Sequence, residues 1–196
     1  RLTPNVSSAA SDVYKRQYTW RVDTVLTNVA FSFVVRVVFF CFVSALFSFT
    51  SASLTLIEPT AAGAGVSYVV AELNGVSSPK AISLKSGIVK MIGTIFSVSS
   101  GLAVGPEGPL VHIGAIIGSA FARGASGRHQ WRVMGDSDFR DIVSAGAAAG
   151  LASAFGSPIG GVLFSSEEAS SFWSHDTTKR ALLCSTLAVF VLAALN

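Results

Sequence analysis

The chain has 196 residues, 51% of them hydrophobic and 13% charged, with a formal net charge of +3 and a mean hydropathy of +0.58. That balance is more apolar than a soluble domain's usual usage, and it predicts a multi-span membrane protein over a soluble domain with buried Ala/Gly-rich helices. A charge of +3 with no basic stripe interleaved with aromatics argues against nucleic acid as a partner.

Residues 7–17 form a polar run with no apolar centre, unlike a signal peptide and resembling a translated adapter tag, so residues 1–17 are set aside as a leader. Residues 25–57 predict one long membrane helix rich in Phe and Val, with Arg36 its single charge, stopped by Glu58-Pro59. The run Ala61-Ala62-Gly63-Ala64-Gly65 enters a short segment that closes at the turn signal Asn74-Gly75. Residues 82–104 predict a helix with Lys85 and Lys90 near its start, and residues 108–121 a short helix after a break at Gly105-Pro106-Glu107-Gly108-Pro109.

Residues 139–155 predict a Gly/Ala-rich helix suited to close backbone approach, broken at Gly156-Ser157-Pro158. Another short helix then runs to the acidic pair Glu167-Glu168, and one more begins at residue 181. The loop between Arg123 and Asp141 carries Arg123, Arg128, Arg132 and Arg140, which places it on the cytoplasmic side. Of the uncharged stretches only 37–57 and 142–166 reach the roughly 20 residues of a simple span. The others are cut by Gly and Pro, the pattern of a transport site built from half-helices. Cys41 and Cys184, isolated in apolar segments, are expected to be buried thiols and not a disulfide or metal pair.

Glu107 is the outstanding residue. A carboxylate at the centre of a membrane helix costs roughly 2.5–3.5 kcal/mol on insertion scales, so its default reading is functional. A helix restarting at Pro109 would aim its free N–H groups at whatever lies beside Glu107, making an anion site with a built-in anionic competitor. The plain alternative is a helix-capping carboxylate. Glu168 follows a short helix, where the macrodipole opposes negative charge, which is expected to raise its pKa and favour proton exchange. The plain alternative there is a solvated acidic helix end. His112 is expected to be a satisfied core histidine rather than a proton shuttle. Trp20 and Trp173 fit membrane interfaces. No Gly-Lys-Ser/Thr follows Gly101–Gly108, and no GxSxG nucleophile motif is present, which argues against nucleotide binding and an intramembrane protease.

Three of the breaks together resemble the N-terminal half of the CLC chloride channel and transporter family, nearest its intracellular and plant vacuolar branches. The resemblance covers roughly residues 54–172. Its densest part is Asp141-Ile-Val-Ser-Ala-Gly-Ala-Ala-Ala-Gly-Leu-Ala-Ser-Ala-Phe-Gly-Ser-Pro-Ile-Gly-Gly-Val-Leu-Phe-Ser-Ser-Glu-Glu168, followed by Gly105-Pro-Glu-Gly-Pro-Leu-Val-His-Ile-Gly114. The family usually has Lys or Arg where this chain has Pro106. It also usually reads Gly-Ser-Gly-Ile-Pro-Glu where this chain has Gly63-Ala64-Gly65-Val66-Ser67-Tyr68.

The resemblance implies an all-α, multi-pass membrane fold with broken and re-entrant helices, of which residues 18–196 are one truncated half of an inverted repeat. It implies a chloride/proton antiporter with no cofactor, chloride being the transported ion. Chloride would meet backbone N–H groups around Gly63, Ala64, Gly65 and Val66 and around Gly105, Pro106, Glu107, Gly108 and Pro109. Glu107 would be the gate and Glu168 the internal proton-transfer site. A homodimer in a lipid endomembrane, lysosomal, endosomal or vacuolar, is implied too. A passive voltage-gated chloride channel and a non-transporting fragment are the alternatives. Alanine at 64 removes a hydroxyl donor and leaves only backbone N–H groups, so central anion binding is expected to be weakened and the following half-helix less rigidly defined.

Overall fold

The computed structural model describes residue 19 and residues 33–76, 78–125 and 135–195. The leader assigned to residues 1–17, Trp20, residues 25–32 of the first predicted helix, and Arg128 and Arg132 of the charged loop lie outside the described residues.

Among the described residues every regular element is helical. In chain order they are α1 (Phe33–Ile57), α2 (Val66–Leu73), α3 (Leu84–Ser99), α4 (Glu107–Ala125), α5 (Asp136–Phe155), α6 (Pro158–Phe164) and α7 (His175–Ala194). A 3-10 turn, Pro59–Ala61, follows α1, and a π turn, Ser165–Ala169, extends α6. The local chemistry accounts for most of the boundaries. Ser83, Ser157 and Ser174 each accept a hydrogen bond from the N–H three residues on, starting α3, α6 and α7, and Pro158 occupies the first turn of α6, where a proline's missing donor costs nothing. Asp136 and Asp138 in the first turn of α5 complement its dipole.

Some boundaries differ from expectation. α3 stops at Ser99, not residue 104, because Ser100 folds its hydroxyl onto the Ser97 carbonyl and Gly101 turns the chain. α4 begins at Glu107, not Pro109, since the Pro106 carbonyl already accepts the Leu110 N–H at 2.8 Å. α7 begins six residues before residue 181, at His175. The segment after Ala64, expected to be a less rigidly defined half-helix, forms a regular eight-residue helix. Neither cysteine is fully buried: Cys41 lies on an exposed face of α1, and Cys184 is half-buried.

The centre of the molecule is the crossing of α4 and α5, which touch backbone to backbone. A Cβ at Gly146 would collide with the Gly114 carbonyl oxygen and come within 3.1 Å of the Gly118 Cα; one at Gly150 would collide with the Leu110 carbonyl. A core of Val69, Leu73, Val111, Ala115, Val143, Ala147 and Ala169 closes α2, α4, α5 and the π turn together. A second cluster, Ala145, Ala148, Val162 and Ala181, joins α5, α6 and α7.

α1 stands at the edge. It is tied to α3 by the Ser51 hydroxyl on the Gly93 carbonyl at 2.9 Å and by an edge-on contact of Phe47 with Phe96. Its remaining surface is apolar and exposed, with Phe42 at 66%, Phe49 at 72% and Leu56 at 84%. α1 over Val37–Ile57 and α7 over His175–Ala194 are long and apolar enough to cross a membrane.

The crossing makes a test with opposite signs on one helix pair. Gly146→Val, forced against α4 backbone, is expected to lower stability by about 3 kcal/mol or more, or to prevent folding. Gly124→Ala, with nothing within 4 Å of the added carbon, is expected to raise helix stability by roughly 0.5–1 kcal/mol. Thermal unfolding in detergent of the two variants measures both.

Candidate functional site

The breaks at residues 58–65 and 100–106 meet. A Cβ at Gly108 would lie 2.6 Å from the Ala64 Cβ, so the start of α4 rests directly on the loop that leads into α2. Between them, α1 and α3 enclose a cavity of 470 Å³ lined by Gly63, Ala64, Lys90, Gly105, Gly108 and Pro109, with Ser51, Thr55, Thr94 and Ser97 among its other walls. The loop that leads into α2 and the start of α4 therefore border one space. Free N–H groups of a helix's first turn and its positive dipole end favour an anion there, by typically ~0.3–1 kcal/mol, and up to ~2 when partly buried.

Three of the hydroxyls on the wall are already committed. Ser51 donates to the Gly93 carbonyl at 2.9 Å, Thr55 to the Ala52 carbonyl at 2.7 Å and Thr94 to the Lys90 carbonyl at 2.8 Å. What the loops offer an anion is chiefly backbone N–H: Ala64 brings no donor side chain, and Pro106 and Pro109 have no N–H at all. Glu107, half-buried in the first turn of α4, folds its carboxylate back over Gly105; the carboxyl carbon lies 2.7 Å from where a Gly105 Cβ would be. The carboxylate thus lies at its own helix's N-terminus, beside the cavity wall.

The 58–65 loop is anchored from both ends. At its start, Glu58 accepts a hydrogen bond from the Thr60 hydroxyl at 3.0 Å and pairs with Lys85 at 3.0 Å, while Thr60 also meets Ser86 of α3 at 3.1 Å. The Lys85 ammonium and then the Thr60 hydroxyl hold the Glu58 carboxyl below the usual carboxylate range. At its end, Gly65 adopts a left-handed backbone, φ +80°, to open α2. There the buried Lys90 reaches under the loop and donates to the carbonyls of Gly63 at 3.0 Å and Ala64 at 3.3 Å.

Glu168 lies elsewhere. It is exposed in the π turn and is not among the residues lining this cavity. Its mounting is nonetheless firm, because Ser165 and Ala169 on either side are buried, and the Ser165 hydroxyl bonds that of Ser144 on α5 at 2.8 Å. Single-turn π segments inside helices recur at functional positions.

A family model for voltage gated chloride channels matches residues 40–196. The chain belongs to that family. It is 43% identical over 148 residues to the H(+)/Cl(-) exchange transporter 7 of Homo sapiens, covering 72% of this chain and 18% of that protein. It is 44% identical over 148 residues to chloride channel protein A of Dictyostelium discoideum, covering 71% of this chain and 17% of that protein. It is also 42% identical over 153 residues to the putative chloride channel-like protein CLC-g of Arabidopsis thaliana, covering 75% of this chain and 20% of that protein. The chain thus spans about a fifth or less of the length of these relatives.

In this chain the structure joins Gly63, Ala64, Gly105, Gly108 and Pro109 around one cavity. It places Gly65 and Val66 at the adjoining start of α2, and Pro106 and Glu107 at the start of α4. Lys90 is the site residue that the sequence analysis missed, having treated it as a charge near a helix start. An ionisable residue past the first turn of an apolar helix was the available signal. His112 is buried as expected, with Nε2 on the Ala81 carbonyl at 3.1 Å, but it is only half satisfied: Nδ1 has no partner.

Acid should loosen the Glu58 anchor. Its carboxyl titrates lower folded than unfolded, so its contribution is complete above the unfolded value and is lost as pH falls through the folded one. Taking the pH from neutrality to below a free glutamate's value of about 4.3 is expected to lower the unfolding temperature of the unaltered protein more than that of Glu58→Gln. Parallel pH curves would mean that the anchor contributes nothing.

Proposed function

We propose that this chain supplies one half of the transport domain of a chloride/proton antiporter, and that residues 18–196 form that partial domain. The observation that carries the reading is the meeting of the loop before α2 with the start of α4 at one cavity, with the Glu107 carboxylate folded against that helix start. Chloride and a carboxylate gain from the same N–H groups and the same dipole, so each can displace the other. Deprotonated, Glu107 competes with chloride for the start of α4. Protonated, it has no charge to hold it there and yields the place. Exchange of side chain for ion is thereby coupled to a proton.

In this proposal Glu168, exposed on its π turn, takes up and delivers the proton on the internal side, and the backbone N–H groups of residues 63–66 and of Gly105, Glu107 and Gly108 conduct chloride. The helices are arranged as spans and re-entrant half-helices, in keeping with the exposed apolar faces of α1 and the short broken elements α2 and α6. The complete protein is a transporter and not an enzyme, needs no cofactor, works as a homodimer in lipid, and belongs in an endomembrane, lysosomal, endosomal or vacuolar. Its relatives carry names of both exchange transporters and chloride channels, which makes a passive channel the second reading.

Reversal potentials of the complete gene product in planar bilayers, under a proton gradient, decide between them. Exchange is expected to shift the potential with pH. Glu107→Ala is expected to abolish that shift and leave chloride flux, while Glu168→Ala is expected to reduce proton flux to the leak of empty membranes. A potential indifferent to pH with both acids intact establishes the passive channel.

A further inference from the structure

Two buried groups beneath the 63–65 loop have no part in the function proposed above. Lys90, 2% exposed, gives two of its three N–H donors to the carbonyls of Gly63 and Ala64. His112, fully buried on α4, meets a carbonyl acceptor through Nε2, so Nε2 carries the proton and Nδ1 presents a bare lone pair that has no partner. Both groups converge on one point. A Cβ at Gly65 would collide with His112 Nδ1 and lie 2.6 Å from Lys90 Nζ.

A trans peptide points its C=O and N–H in opposite directions. Drawing the carbonyls of Gly63 and Ala64 down onto an ammonium therefore turns the N–H groups of Ala64 and Gly65 away from it. Among the described residues neither N–H makes a backbone hydrogen bond. The ammonium also polarises the two peptide groups it holds, strengthening their N–H ends as donors. In a loop whose residue 64 has no hydroxyl, those two N–H groups are the donors available, and their direction is set from behind.

We infer that Lys90 and His112 form one buried positioning pair: the Nδ1 lone pair, close to the ammonium without a hydrogen bond to it, favours its charge there, and the ammonium orients the Ala64 and Gly65 N–H groups toward a small inorganic anion. The inference rests on the proposed chloride site and adds the residues that aim it.

Chloride binding to the complete gene product, measured by titration calorimetry on the unaltered protein and on Lys90→Met, His112→Leu, His112→Asn and the Lys90→Met/His112→Leu double variant, tests the pair. Lys90→Met and His112→Leu are each expected to weaken chloride binding about tenfold, the scale of a hydrogen bond to a charged group. The double variant is expected to be little worse than the poorer single one, because the two act as a unit. His112→Asn, which offers an amide oxygen near the Nδ1 position, is expected to recover most of the affinity.

His112→Leu leaves the Lys90 charge in place, so unchanged affinity in that variant overturns the positioning pair, as does a lowered unfolding temperature with unaltered affinity. Should Lys90→Met fail to fold, the His112→Leu and His112→Asn comparison decides alone. Absence of chloride binding in the unaltered protein overturns the transport reading itself, and the pair with it.

Discussion

Everything in this structure is placed relative to the contact of α4 with α5, where two backbones meet without side chains between them. Glycines at 114, 118, 146 and 150 remove the carbons that would hold the helices apart, and each Gly's neighbour across the contact is a carbonyl or a Cα. Close packing of this kind gains dispersion along the whole crossing and loses it steeply with any separation. With α4 fixed on α5, its N-terminal end can lie only where α2 and α3 leave room, against Ala64.

The second constraint is electrical and local. The loop between α1 and α2 exposes peptide groups in a setting of apolar helices, where unpaired backbone is costly. Its carbonyls go inward to Lys90, and its opening residue Glu58 goes to Lys85 and Thr60. Two lysines one helical turn and a half apart on α3 thus serve the two ends of one loop. The buried lysine is tolerable because carbonyl oxygens replace part of its hydration; the exposed one is an ordinary ion pair whose strength falls in acid.

These two constraints divide the work of the site. The glycine crossing sets where the second helix start lies, and the lysine beneath the loop sets which way the first loop's peptide groups face. The loop thus keeps its shape without a hydroxyl at residue 64, because it is held through the Gly63 and Ala64 carbonyls and through Glu58. Tyr68, at the position where the family usually has an acid, instead packs its ring 5.9 Å from that of His112, a contact between α2 and α4.

Composition and broken apolar runs determined by themselves that the chain is helical, roughly where each helix lies, and that the breaks at 58–65, 105–109 and 156–158 matter, because Gly and Pro act on the backbone locally. The places of Glu107 at a helix start and of Glu168 beyond a short helix were legible for the same reason. Tertiary structure alone decided that the first two breaks face one cavity while Glu168 stands apart, since no local rule relates residues forty positions distant. It alone decided that Lys90 points under a loop and that His112 keeps a bare nitrogen beside it. A side chain's partners depend on which backbone packing brings near, and here that was settled by glycines whose only sequence signal was their smallness.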